Sequence, residues 1–149
     1  MTKDEWYRNR ILWRLSRYNL SSSLWDSFRS ENEAAADNIQ KYLGQENEPL
    51  LVFWRDENLW TVLTTAKLFS VIDGETTTIF IDEIQKRIER TTPSMRWQLM
   101  LPRKMDMEFM FVGPNNLRIW APPGGGYFAL MNILRMFPLN VPGANRGHG

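Results

Sequence analysis

Apolar residues recur every three or four positions from Tyr7 to Leu43, whereas from Leu50 to Ala121 they alternate or run together. That change of period divides the chain. Tyr7, Ile11, Leu15 and Tyr18 trace a stripe along one helix. Thr2 and Glu5 have the spacing of a capping box at its start, and Asn19 is a suitable terminator. Ser23 and Asp26 repeat the capping spacing ahead of Leu24, Phe28, Ala35, Ile39 and Leu43, with Gly44 beyond. The pattern predicts two N-terminal helices, followed by a polar connection over Gln45–Pro49.

Leu50–Trp54 is a short continuous apolar run, as expected of a strand covered on both faces. Asp56-Glu57-Asn58 is a turn cluster, and Leu59–Thr64 follows as a strand rich in residues of high β-propensity. Lys67–Ile72 and Thr76–Ile81 flank Asp73-Gly74, a strong hairpin signal. Asp82–Thr92 fits either a helical turn through Ile84 and Ile88 or a bulged strand, closed by Pro93. Alternation then returns in Met95, Trp97, Leu99 and Leu101, and again in Met107, Phe109 and Phe111, which predicts Met105 and Met110 at the surface. Beyond the turn at Gly113–Asn116, Leu117, Ile119 and Ala121 make a last strand. Tyr127, Leu130, Met131, Leu134 and Phe137 then predict a one-sided amphipathic helix stopped by Pro138, and Asn140–Gly149 reads as a loose tail. The fold class is α+β: two N-terminal helices, roughly seven antiparallel strands and one C-terminal helix.

Composition narrows the chemistry. A chain of 149 residues fits one domain. It has no cysteine, hence no disulfide and no thiolate nucleophile or metal ligand. Thr2–Arg17 has no uninterrupted apolar core of a signal peptide, and no stretch approaches the roughly 20 apolar residues of a membrane span, so a cytoplasmic location is the expectation. The single histidine, His148, lies in the glycine-rich tail, where a serine–histidine–acid triad or a histidine metal site is not expected. The acidic pairs Asp56/Glu57, Asp73/Glu75 and Asp82/Glu83 fall in turns or strand ends, where carboxylates are solvated. Gly124-Gly125-Gly126 lacks the lysine and hydroxyl residue of a phosphate loop and reads as a hinge before the last helix. No catalytic residue, cofactor or metal site is expected, and no enzyme.

About seven strands in hairpin order followed by one helix resembles the pleckstrin-homology-like (PH-like) barrel, and the local sequence resembles its bacterial members. The segments that carry the likeness are Leu59-Trp60-Thr61-Val62-Leu63-Thr64-Thr65-Ala66-Lys67-Leu68, Ile79-Phe80-Ile81-Asp82-Glu83-Ile84, and Pro123-Gly124 through to Leu134. The resemblance implies a barrel with a capping helix over 48–138, an N-terminal helical extension over 1–47 and a flexible tail over 139–149. It also implies self-association. Phosphoinositide binding is not expected, because the first hairpin loop is acidic, Asp56-Glu57-Asn58, and Arg55 alone cannot cradle a polyphosphate.

Binding candidates remain. The first helix carries Lys3, Arg8, Arg10, Arg14 and Arg17 interleaved with Trp6 and Trp13, a pairing common at interfaces, although a solvated face would look the same. A second basic group, Lys86, Arg87, Arg90, Arg96, Arg103 and Lys104, brackets Trp97 but is divided among several predicted elements. With a net charge of +1 a nucleic-acid partner is not expected. The candidate partner-binding residues are Trp6, Arg10, Trp13, Arg14, Arg17, Arg96, Trp97 and Met105. They point to a non-catalytic protein–protein interaction or scaffolding module, with an acidic partner or self-association. Peripheral binding to anionic lipid, or a small immunity or inhibitor protein, are the alternatives.

Overall fold

A computed structural model describes residues 2–45, 47–90 and 108–139. The expected strand over Met95–Leu101, the residues Arg96, Trp97 and Met105, and the tail with His148 lie outside the described residues.

Helix α1 spans Lys3–Leu15, and the Thr2 hydroxyl accepts the Glu5 amide at 3.1 Å, the first half of the expected capping box. The next helical stretch is not one helix but two, α2 (Trp25–Glu31) and α3 (Glu33–Leu43). Asn32 makes the break: its amide nitrogen donates to the Phe28 carbonyl at 3.3 Å, and its backbone leaves the helical region at φ −138°, ψ 61°. Asparagine competes for main-chain groups in this way, which disfavours it inside helices. No side chain caps α2; its N-cap is Leu24, not Ser23. Gly44, at φ 77°, ends α3 as expected.

Strands β1 (Pro49–Asp56), β2 (Leu59–Thr64), β3 (Lys67–Ile72) and β4 (Glu75–Phe80) form an antiparallel meander in chain order. Asp73 and Gly74 both take positive φ, and Ile72 pairs with Glu75 across them, as the hairpin signal requires. The segment that fitted either a turn or a strand holds both: a 3-10 turn over Ile81–Ile84, then β5 (Ile88–Glu89). β5, β6 (Phe109–Val112) and β7 (Leu117–Trp120) make a second, three-stranded antiparallel sheet. The described strands therefore form two sheets, of four and three strands, and not a closed barrel.

Both faces of the first sheet are covered. Val52, Trp60, Val62, Phe69 and Val71 pack beneath α2 and α3 against Trp25, Phe28, Ala36, Ile39 and Leu43. The opposite face, with Leu51, Phe53, Leu63 and Leu68, joins the second sheet and α4 (Gly125–Leu134) in the main core. Alternation between the two layers, broken in β1 by register shifts at Pro49–Leu51 and Trp54–Asp56, explains why β1–β3 read as nearly continuous apolar runs. Tyr7, Ile11 and Leu15 of α1 belong to the same main core, and Asn132 donates to the Tyr18 hydroxyl at 2.8 Å.

Three expectations change here. Helix α4 is not one-sided: Tyr127, Ala129, Leu130, Met131, Ile133 and Leu134 are all buried, because α1 covers the flank that a terminal helix would leave in water. It ends at Leu134, before Pro138. The alternation in β6 has the opposite phase, with Met110 and Val112 fully buried and Phe109 and Phe111 only partly so. The glycine run is not simply a hinge: a Cβ on Gly126 would lie 2.8 Å from Pro122 Cγ and 3.2 Å from Phe53 Cε1, so close packing demands glycine there.

The sheets meet edge on face at Trp120. Its main-chain N–H donates to Ser70 Oγ at 3.1 Å, and its carbonyl accepts Thr61 Oγ1 at 2.5 Å. Ser70 and Thr61, both buried, are 2.8 Å apart, so the one remaining hydroxyl proton, that of Ser70, bridges to Thr61 and closes a ring of three hydrogen bonds. Replacing Thr61 by Val or Ser70 by Ala strands one buried main-chain group of Trp120. Each is expected to lower stability by about 1–3 kcal/mol in urea denaturation. The double variant should cost less than the sum, since the residues act as one network; additive losses would show two independent bonds.

Candidate functional site

Helix α1 turns Tyr7, Ile11 and Leu15 inward, and the 3.6-residue period therefore places Trp6, Arg10 and Trp13 together on an outer stripe, which Arg17, just past the helix end, extends. Along it, ring and guanidinium alternate. Arg10 Cζ lies 5.9 Å from the Trp6 ring centroid and 4.9 Å from that of Trp13, and Arg17 Cζ lies 4.4 Å from the Trp13 ring centroid. These are cation–π distances, and they hold flexible arginines in one orientation before any partner arrives. Trp6 packs against the main core, whereas Trp13 is 43% exposed. Among the described residues no ion pair engages Arg10, Arg14 or Arg17. Lys3 and Arg8, also on α1, are paired, with Asp82 at 2.6 Å and with Glu48 at 3.9 Å.

Of the eight residues singled out in the sequence, the structure brings four into this ladder: Trp6, Arg10, Trp13 and Arg17. Arg14 stands apart, partly buried, with its Nε enclosed and without a hydrogen-bond partner among the described residues. Arg96, Trp97 and Met105 lie outside the described residues.

The helix that presents the ladder is pinned at its N-terminal end. The Tyr7 hydroxyl donates to Asp82 Oδ1 at 2.6 Å and accepts the Leu139 amide at 3.2 Å, while Lys3 Nζ reaches Asp82 Oδ2 at 2.6 Å. The Tyr7 ring also packs on Phe137, centroid to centroid 4.7 Å. Burial, then the hydrogen bond to Asp82, raises the Tyr7 pKa, and the bond to the same carboxylate raises that of Lys3. α1 is thus fixed to the 3-10 turn after β4 and to the segment following α4.

A second feature gave no signal in the sequence. A half-open cleft of about 500 Å³ separates the end of α2 from β1, with Phe28, Trp54, Arg55 and Trp120 among its walls. Arg55 Cζ lies 5.3 Å from the Trp120 ring centroid and 3.6 Å separates its Nη1 from Glu108 Oε2. Arg55 could be noted as a charged residue ending an apolar run, but nothing local to it says that Trp120 lies beneath. Among the described residues no group of histidine, cysteine and carboxylate side chains has metal-binding geometry, and no described helix is long and apolar enough to cross a membrane. No protein-family model matches the chain, and neither a curated protein nor a solved structure matches it.

The raised phenols set an alkaline limit. The Tyr127 hydroxyl, fully buried and donating to the Phe109 carbonyl at 3.0 Å, has its pKa pushed up to about 12 by burial. Tyr7 is shifted in the same direction. An unfolded tyrosine titrates near 10, so above roughly pH 10 the unfolded state loses protons that the folded state keeps. Stability should be level below that pH and fall as pH rises toward the folded values. Denaturation between about pH 9 and pH 12 checks this, and Tyr127→Phe should give a shallower decline; an unchanged slope would show that Tyr127 ionises normally.

Proposed function

We propose that the chain is a non-catalytic interaction module that docks an acidic protein surface on the arginine–tryptophan ladder of α1. The observation that carries this reading is the stacking of Arg10 and Arg17 on Trp13, which leaves two oriented guanidinium groups without a carboxylate among the described residues. Arginine and tryptophan dominate binding energy at protein interfaces, and a guanidinium already held in place loses less entropy on pairing with a carboxylate. Self-association through the same stripe fits if a neighbouring copy offers its acidic turns.

A membrane-surface role is the weaker reading. A helix lying in the interfacial plane buries its apolar face among the acyl chains. Here Tyr7, Ile11 and Leu15 are committed to the protein core, leaving Trp13 as the exposed large ring. A PH-like relationship remains part of the proposal. The antiparallel meander, the later strands and the closing helix support it, and the two sheets then correspond to a barrel that does not close by main-chain pairing. A cytoplasmic setting accords with the lack of cysteine.

Immobilised octaglutamate and vesicles containing phosphatidylserine separate the readings. The protein is expected to bind the acidic peptide with an affinity that falls as salt rises. R10E/R17E should abolish binding, and R29E, on α2, should leave it unchanged. Light scattering of the same variants tests self-association. Arginine-dependent binding to vesicles with none to the peptide would overturn the protein-partner reading in favour of lipid.

A further inference from the structure

Successive side chains of a strand point to opposite faces, so a cavity lying on one face touches every second residue. The cleft beside α2 touches four in succession: Val52, Phe53, Trp54 and Arg55. Val52 belongs to the layer under α2 and α3, and Phe53 to the main core, which confirms that the two point opposite ways. The cleft therefore runs along the outer hydrogen-bonding edge of β1. That edge is an end of the first sheet, since β1 pairs with β2 alone among the named strands. One antiparallel bridge, Leu24 to Leu51, occupies it just before the cleft begins. Among the described residues, strand pairing at this edge is thus started by that bridge and goes no further.

We propose that the β1 cleft receives an extended peptide from a partner protein, which pairs with Val52–Arg55 and lengthens the first sheet by one strand. Four residues of strand span roughly 13 Å, enough for the central part of such a peptide. Main-chain pairing supplies affinity at an open edge, and side-chain pockets supply preference. The walls are chemically uneven. On the α2 face Phe28 and Trp54 offer aromatic surface for one large apolar side chain, Trp120 lies on the opposite face, and Ser22 lines the cleft beside the bridge. At the far end Arg55 is held over the Trp120 ring, with Glu108 only loosely paired at 3.6 Å. A peptide carboxylate can take the remaining guanidinium donors, so an acidic residue is favoured at that end. α1 does not line the cleft, and this inference does not rest on the ladder.

The test uses a random heptapeptide display library panned against the full chain. Enriched peptides should combine a large apolar residue with an acidic one. A labelled copy of the consensus should shift the amide resonances of Val52–Arg55 and slow their hydrogen exchange. Ser22→Trp, which fills the cleft from an exposed turn, should weaken binding at least about ten-fold. Arg55→Glu, at an exposed strand end, keeps the proposal testable should Ser22→Trp misfold: panning against it should select a basic residue in place of the acidic one. Lys41→Glu, on the exposed side of α3 and not lining the cleft, should bind the consensus as the parent does. No enrichment, resonance shifts confined to other elements, or equal affinity for folded Ser22→Trp would overturn the proposal.

Discussion

The edge-on-face junction at Trp120 is the contact on which the rest of the architecture depends. A strand that ends a sheet leaves main-chain donors and acceptors that must be satisfied once it is buried. β7 solves this with hydroxyls rather than with another strand: Ser70 takes its N–H and Thr61 its carbonyl. Because the partners are side chains standing on the face of the first sheet, the second sheet is carried across that face. Among the described residues the two sheets enclose a core without sharing a ladder, and beyond the Leu24 bridge β1 has an open edge beside Trp120.

The doubly covered first sheet accounts for much of the high aromatic content. Trp25, Phe28, Trp54 and Trp60 form a chain of ring contacts between α2 and the sheet, with centroids 6.2 to 6.4 Å apart. Tyr42 meets the edge of that chain at Trp60, 5.5 Å away. Rings are suited to such thin layers, since each covers a large area with few rotatable bonds. Those outside the two cores, notably Trp13, stand out by contrast. On α1 the same period that sends Tyr7, Ile11 and Leu15 inward sets the tryptophans and arginines in a file, so one helix serves both the core and the ladder.

Much of the candidate site was legible before the tertiary structure. The ladder is a local feature: spacings of three and four along α1 bring Trp6, Arg10 and Trp13 into contact whatever lies beneath, and Arg17, just past the helix end, stacks on Trp13. Arg14 separates from them for the same reason, being rotated toward the buried side. The cleft is of the opposite kind. Phe28, Arg55 and Trp120 come from an early helix, the first strand and the last strand, and no spacing relates them. Its existence depends on β1 being an edge, and strand order is a property of pairing between segments.

By itself the sequence determined whatever is settled by neighbours a few residues apart. Examples are the cap at Thr2, the Asp73-Gly74 hairpin, strands over Leu59–Thr64 and Lys67–Ile72, and the stop at Gly44. The tertiary structure alone decided the phase of β6 and the burial of α4 on nearly every side. It also decided that the described strands form two sheets rather than a closed barrel. In each case an apolar residue records only that it will be covered, and which segment covers it depends on contacts between residues far apart in the chain.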